Sequence, residues 1–143
     1  MTLKRFICIL FVVLTLFSFD IFSEETVRVR VDNDFIYSDV SPLLIDGRTY
    51  LPLRAILNAI GVDNKDIIWW ELSESVEIRH QDIHIFMPVN SFEVIVNDSI
   101  YYTDSPAFIK ESRTFVPVRF LSETLNCKVD WDGINFIVDI YTN

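Results

Sequence analysis

The chain has 143 residues, half of them hydrophobic and 14% aromatic, and its formal net charge at pH 7 is −9. This length allows one domain or two very small ones, and the apolar content favours a packed core over disorder. The acidic balance repels phosphate backbones and anionic lipid surfaces, which disfavours a nucleic-acid-binding function.

Residues 1–23 have the pattern of a secretory signal peptide. Lys4 and Arg5 precede a largely apolar run of 14 residues, and small residues follow up to Ser23. A membrane-spanning helix needs ~20 apolar residues, so a cleaved signal peptide is the first prediction and an uncleaved N-terminal anchor, the only expected membrane contact, is the second. Cleavage would remove two basic residues and Asp20, leaving 10 basic and 20 acidic residues and a net charge of −10. We therefore expect an exported protein that is secreted, periplasmic or associated with the cell envelope.

The remaining chain begins with a predicted hairpin. Val27, Val29 and Val31 alternate with arginines, which is the period of a half-buried strand. The Asp and Asn residues at 32–34 favour a turn, and residues 35–37 return as a second strand. A short apolar strand at 43–45 then leads to Asp46-Gly47, a good pair for a hairpin turn.

Residues 48–61 combine a strand pattern with a helix pattern. Arg48 to Leu51 includes a β-branched and an aromatic residue, which suits a strand. Pro52 suits the first position of a helix, and Gly61 suits a left-handed cap at its end. The apolar stripe of this helix consists of Leu53, Ile56, Leu57 and Ile60. A helix of about nine residues is too short to be stable alone in water, so we expect it to pack against a sheet.

A tryptophan strand, Ile67–Glu71, follows the helix, and further strands are predicted at 76–78 and 83–87. A constant shift of 65 residues then aligns a second copy of the hairpin, strand and helix. The identical pairs in the strand–helix stretch are Arg48/Arg113, Thr49/Thr114, Pro52/Pro117 and Arg54/Arg119. The second tryptophan strand is Lys128–Asp132. This internal repeat predicts two copies, at about 26–80 and 81–143, that pack as one unit or as two closely abutting lobes.

These residues resemble the copper amine oxidase N-terminal-like domain, also called the stalk domain. Its pattern is close to N-G-R-T-[YLF]-V-P-[LV]-R-[FA]-[IL]-[AS]-E-x-L-G-A-x-V-x-W-D. The chain matches it at 46–61 with Trp70-Glu71, and more closely at 113–127 with Val129 to Asp132. Asn58, Asn126 and Glu111-Ser112 depart from the pattern.

The resemblance implies an α+β fold in which an antiparallel β-sheet curls around a short helix, duplicated as two pseudo-symmetric repeats. In the oxidase this module is a non-catalytic stalk, and the copper belongs to a separate catalytic domain. The sequence has neither the Asn-Tyr-Asp/Glu context of that domain's quinone cofactor nor three histidines for its metal. No cofactor and no metal are therefore expected.

The two histidines are candidate ligands of a metal site. His80 and His84, with Asp82, would share a metal on a helix, but the flanking residues alternate as strands and the pair should straddle a turn. Zinc sites have three or four ligands, so structural or solvated histidines are expected. The acidic residues Asp130, Asp132 and Asp139 have no nucleophile or histidine partner, which argues against hydrolase chemistry.

The repeated arginines allow two interpretations. Arg54 and Arg119 lie early on the helices and would bind an anionic ligand in a functional interpretation. In the structural interpretation, each guanidinium holds a strand carbonyl or a carboxylate, such as Glu123, four residues after Arg119. We expect the structural role here, and also for Arg48 and Arg113.

The aromatic residues provide the candidate binding surface, which would present rings to a glycan. It consists of Trp69, Tyr37, Tyr101 and Tyr102. Trp69 and Trp70 point to opposite faces of a strand, so at least one is expected to be exposed. Trp70 and Trp131 are expected to pack in the core. Cys127 follows the second helix, where a buried thiol is expected and an exposed thiol that pairs between chains is the alternative.

The sequence thus predicts a non-catalytic stalk or interaction module that is secreted or attached to the cell envelope. Its partner would be an unidentified envelope protein or a cell-wall glycan. The alternative is a carbohydrate-binding module that recognises peptidoglycan through exposed aromatic side chains. An enzyme is the third possibility, for which no catalytic motif is visible.

Overall fold

The computed structural model describes residues 26–143, so the signal peptide predicted over residues 1–23 lies outside the described residues. The described part consists mostly of antiparallel β-sheet curled into a half-barrel, with two short helices. The antiparallel sheet with short helices expected from the sequence is therefore confirmed. No helix in residues 26–143 is long and apolar enough to cross a membrane.

The central sheet carries the Arg-Thr strands. It contains β3 (Leu43–Ile45), β4 (Arg48–Pro52), β10 (Phe108–Lys110) and β11 (Arg113–Pro117), in the order β10–β11–β4–β3 with every pair antiparallel. Leu51 of β4 faces Val116 of β11, and these side chains are 1% and 0% exposed. This pair marks the centre of the molecule.

Of the two further sheets, one contains the strands at the two ends of the described chain and the other contains the strands between β4 and β10. The first contains β1 (Arg28–Val31), β2 (Asp34–Phe35), β12 (Lys128–Asp132) and β13 (Ile137–Tyr141), in the order β12–β13–β1–β2. The second contains β5 (Ile67–Trp70), β6 (Ser75–His80), β7 (Ile83–Pro88), β8 (Glu93–Val96) and β9 (Ser99–Tyr102), in that order. The β1–β13 pair is parallel, whereas the other pairs in these sheets are antiparallel.

The helices are α1 (Leu53–Ala59) and α2 (Val118–Thr124), each of seven residues. Each begins one residue after its proline, because Pro52 and Pro117 keep extended ψ angles of 128° and 116° and act as N-caps. The prediction that Pro52 occupies the first helical position was therefore one residue early, and the helices are shorter than expected.

Both helices end in the same way. Gly61 and Asn126 have φ angles of 90° and 62°, and the next backbone N–H bonds the carbonyl five residues earlier at 2.9 Å in both cases. This is the Schellman arrangement, which satisfies the last helical carbonyls. The predicted left-handed caps are confirmed at both positions.

The apolar stripes of both helices face the core. The buried members are Leu53, Ile56, Leu57, Ile60, Val118, Leu121 and Leu125. The helices contact both central strands, β4 and β11. Because a helix of seven residues is unstable alone in water, this shared burial is what holds α1 and α2 in place.

The turns that precede β4 and β11 need left-handed residues. Asp46 and Gly47 have φ angles of 49° and 72°, and Glu111 and Ser112 have 51° and 58°. A two-residue hairpin turn with positive φ at both central positions favours Gly or Asn. Ser112 therefore adopts a conformation that costs free energy for a residue with a Cβ.

We expect Ser112→Gly to stabilise the fold by up to about 1 kcal/mol, because it relieves the left-handed strain. The reverse change, Gly47→Ser, should destabilise by a similar amount, since nothing within 4 Å of an added Cβ contributes a clash of its own. Urea denaturation measures both midpoints at constant m-value. A Ser112→Gly variant that is less stable than the native chain would contradict this expectation.

Every sheet contains strands from both halves of the chain. The pairs that join the halves are β1 with β13, β4 with β11, and β6 with β7. The Val29–Val138 and Val31–Ile140 pairs join the first strand to the last. The two halves therefore share one core.

We expect fragments 1–80 and 81–143 to lack a cooperative unfolding transition when each is expressed alone. Separation leaves β1 without β13, β4 without β11 and β6 without β7, so apolar faces and ladder hydrogen bonds are exposed together. Mixing the fragments should restore the near-ultraviolet circular dichroism of the intact chain. A sharp urea transition of either fragment by itself would be the contrary result.

Candidate functional site

Two arginines at the starts of β4 and β11 tie the halves of the chain together. Arg48 Nε donates to Asp104 Oδ2 at 2.8 Å, and Arg48 Nη1 donates to the Asp46 carbonyl at 3.2 Å. Arg113 forms the reciprocal contact, in which Nε donates to Asp39 Oδ1 at 3.2 Å and Nη2 donates to Oδ2. Each guanidinium thus holds a carboxylate from a loop of the other half.

Both ion pairs lie at the surface, and the Arg113–Asp39 pair shifts the pKa values of its two members. The hydrogen bond from Arg113 lowers the pKa of Asp39, and the pKa of Arg113 is raised by the same bond. Arg113 Nη1 also donates to the Glu111 carbonyl at 3.1 Å, as Arg48 does to Asp46. Both arginines therefore have the carbonyl and carboxylate partners that the structural interpretation described.

Each ion pair lines a groove. The Trp131 groove, of about 600 Å³, is defined by Tyr102, Arg48, Asp104, Arg119, Glu123 and Trp131. The Trp69 groove, of about 860 Å³, is defined by Tyr37, Asp39, Arg113, Arg54, Asn58 and Trp69. Each groove therefore combines a tyrosine, a tryptophan and a guanidinium–carboxylate pair.

The aromatic side chains of the grooves are accessible. Tyr37 is 95% exposed, Tyr102 is 72% exposed and Trp131 is 42% exposed. Trp69 is half-buried, and its Nε1 donates to Glu71 Oε2 at 2.7 Å. The rings are thus available to a ligand without rearrangement of the core.

The helix arginines have different partners in the two grooves. Arg119 Nη1 lies 3.6 Å from Glu123 Oε1, whereas Arg54 Nη1 donates to Asn64 Oδ1 at 3.1 Å. Asn58 occupies in α1 the position that Glu123 has in α2, so α1 has no carboxylate there. The expected Arg119–Glu123 pair is present, and it is exposed.

The aromatic candidates do not form one surface. Tyr37 and Trp69 line one groove, Tyr102 lines the other, and Tyr101 lies outside both. Trp70 and Trp131, expected in the core, are instead 48% and 42% exposed. That expectation rested on the symmetry of the repeat, with Trp70 matched to Trp131, and on the usual burial of tryptophan. It was wrong because Trp131 lines an open groove and Trp70 is the last residue of β5.

The sheet register pairs the tryptophans differently. Trp69 comes two residues after the buried Ile67 and lies opposite Val76. In the same way, Trp131 comes two residues after the buried Val129 and lies opposite Val138. Side chains two residues apart share a face of a strand. Trp69 is therefore the counterpart of Trp131, and Trp70 points to the opposite face.

A polar cluster on that opposite face was not foreseen from the sequence. Glu77 accepts hydrogen bonds from Trp70 Nε1 at 2.8 Å, from Arg79 Nε at 2.8 Å and from Nε2 of His84 at 2.9 Å. Its side chain is only 8% exposed. The hydrogen bonds from Arg79, then Trp70, and then His84 lower its pKa against the opposing effect of burial. Arg79 lies two residues after Glu77 on β6, whereas Trp70 and His84 reach Glu77 only through the β5–β6 and β6–β7 registers.

The histidines straddle a turn between β6 and β7, as the sequence indicated. Among residues 26–143, no group of three or more His, Cys, Asp or Glu side chains is placed to hold a metal ion. Cys127 is buried, and burial raises the pKa of its thiol. The buried thiol expected at this position is therefore confirmed.

The three candidate catalytic carboxylates each have a separate partner. Asp139 pairs with Arg30 at 2.6 Å, and Asp130 pairs with Lys128 at 2.7 Å. Asp132 accepts hydrogen bonds from the 134–135 turn. Asp130 and Asp139 are neighbours across β12 and β13, but these separate engagements give them the roles of ion-pair partners.

A family model described as the copper amine oxidase N-terminal domain matches residues 30–140, from the first strand into the last. No curated protein matches the chain. The matched range includes both grooves and the Glu77 cluster.

We expect Glu77→Gln to destabilise the fold by about 1–2 kcal/mol at pH 7, because charge-assisted hydrogen bonds are lost. The lowered pKa means that ionised Glu77 stabilises the fold above its unfolded value of about 4.3. This contribution is lost as the pH falls through the folded value, so the difference between variant and native chain should shrink below pH ~4. Urea denaturation at pH 7 and pH 3 measures the difference in the free energy of unfolding between the variant and the native chain.

Glu111→Gln in an exposed turn is the matched control, and it should change the free energy of unfolding by less than about 0.5 kcal/mol. A Glu77→Gln penalty of equal size at pH 7 and pH 3 would show that ionisation of this carboxyl contributes nothing.

Proposed function

The chain belongs to the copper amine oxidase N-terminal domain family, and from that membership we propose that it is a non-catalytic interaction module exported to the cell envelope. The observation that carries the proposal is the family match over residues 30–140. The N-terminal domain of copper amine oxidase is itself non-catalytic. Export is supported by the signal-peptide pattern of residues 1–23.

We propose further that the module consists of two interlocked copies related by a pseudo-two-fold axis between Leu51 and Val116. The register supports this, because Tyr50 faces Pro117 and Phe115 faces Pro52. A shift of 65 residues converts each of these pairs into the other. The reciprocal contacts Arg48–Asp104 and Arg113–Asp39 have the same relation.

Interlocked copies suit a spacing or docking role. Each sheet contains strands from both copies, so the copies are not independent domains joined by a linker. A partner bound to one copy is therefore held rigidly relative to the other copy. The net charge of −9 disfavours anionic partners. A neutral or cationic envelope component, protein or glycan, fits this surface.

We expect the full chain, expressed with a C-terminal tag, to be recovered from the envelope fraction or the medium rather than from the cytosol. Mass spectrometry should give a mature chain that begins close to Glu24, because cleavage is predicted after Ser23. Deletion of residues 1–23 is the control and should leave the chain in the cytosol. Recovery of the full-length chain in the cytosol would contradict export.

The binding part of the proposal is tested with the exported chain as bait in envelope extract. Fragment 81–143, which we expect not to fold alone, is the control bait, so that retention by exposed apolar surface is subtracted. An envelope protein or glycan enriched by the intact chain in a saturable manner supports the proposal. The absence of any enrichment over the fragment would oppose it.

A further inference from the structure

We propose that the Trp69 groove and the Trp131 groove are two equivalent sites for one ligand class, a neutral oligosaccharide. This inference rests on the proposed function, because an exported module meets such ligands in the envelope. In each site, a tyrosine and a tryptophan would contact the apolar faces of the sugar rings, and the guanidinium–carboxylate pair would bond the hydroxyl groups.

The positions that are identical in the two copies lie mostly in the grooves. A shift of 65 residues compares residues 26–62 with residues 91–127, and eight positions are identical. Two of them are Val29/Val94 and Val31/Val96 in the first strand of each copy. The other six line the grooves, and they are Tyr37/Tyr102, Asp39/Asp104, Arg48/Arg113, Thr49/Thr114, Pro52/Pro117 and Arg54/Arg119. The copies have thus diverged mostly away from the grooves.

Internal packing does not account for all six of these identical positions. Tyr37 and Tyr102 are 95% and 72% exposed, so no core contact requires a tyrosine at these positions. The Tyr102 hydroxyl donates to Glu93 Oε1 at 3.1 Å, but the other copy has Arg28 at the position of Glu93, so this contact is not shared. Arg54 and Arg119 are bonded to different partners, Asn64 and Glu123, so no shared internal contact requires the arginine. An exposed side chain that is retained without a shared internal contact indicates binding.

The side chains of the grooves also indicate the class of ligand. Concave sites that combine aromatic side chains with a few convergent polar groups bind small organic ligands. In each groove the carboxylate of Asp39 or Asp104 is already paired with an arginine. The pair offers donors and acceptors to hydroxyl groups with little local charge. The negative net charge of the chain further disfavours an anionic ligand.

Two equivalent sites in one rigid unit also favour a ligand with repeating units. A polymer of one sugar presents the same rings to both grooves, and it binds the second groove intramolecularly once its length exceeds the distance between the grooves. A tetrasaccharide that fills one groove binds each groove separately. A single small metabolite would gain nothing from the duplication. A long oligosaccharide should therefore bind more tightly to the chain than a short one does.

The experiment titrates the full chain with N-acetylchitotetraose and with cellotetraose by isothermal titration calorimetry. We expect one of these probes to bind with a stoichiometry of two. Tyr37→Ala and Tyr102→Ala should each weaken one site by about tenfold, as expected for the loss of one aromatic contact. The double variant should lose both sites.

Tyr101→Ala is the matched control, because Tyr101 adjoins Tyr102 on the same strand, is 52% exposed and lines neither groove. It should bind as the native chain does, and circular dichroism checks that every variant folds. Binding of neither probe, a stoichiometry of one, or equal weakening by Tyr101→Ala would overturn the inference. Saturable enrichment from envelope extract by a chain that binds neither probe would leave the proposed function standing.

Discussion

The antiparallel contact between Leu51 of β4 and Val116 of β11 is the interaction on which the rest of the structure depends. Both side chains are almost completely buried. Each strand runs directly into its helix, so the pairing also sets where α1 and α2 begin and which face of the sheet they cover. Because neither helix is long enough to be stable by itself, loss of this pairing would remove the helices together with the sheet.

The same pairing brings the two exposed ion pairs into their positions. Surface ion pairs contribute little to stability because water and salt screen them. Their effect here is geometric, since Arg113 holds Asp39 and Arg48 holds Asp104 across the halves of the chain. Each of these carboxylates lies two residues after a groove tyrosine. The ion pairs therefore keep the tyrosine loops beside the grooves, although they add little to the free energy of folding.

The exposure of the tryptophan side chains could not be predicted from the sequence. Alternation along a strand predicts that Trp69 and Trp70 face opposite ways, but it does not say which face is covered. The expectation of two core tryptophans rested on the symmetry of the repeat, with Trp70 matched to Trp131, and on the usual burial of tryptophan. The cross-strand partners, Val76 and Val138, instead match Trp69 to Trp131. The Glu77 cluster was missed for a related reason, because Trp70 and His84 reach Glu77 only across two strand pairs.

The sequence by itself determined the kinds of element, their order and their caps, because apolar period, proline position and left-handed residues act within a few neighbours along the chain. It also predicted a repeat, because identity at a fixed shift of 65 residues needs no coordinates. Only the tertiary structure decided that strands of one half pair with strands of the other, which tryptophan lines a groove, and which aspartate each arginine holds. These features depend on the register between strands that are far apart in sequence, and the packing of the whole core selects that register.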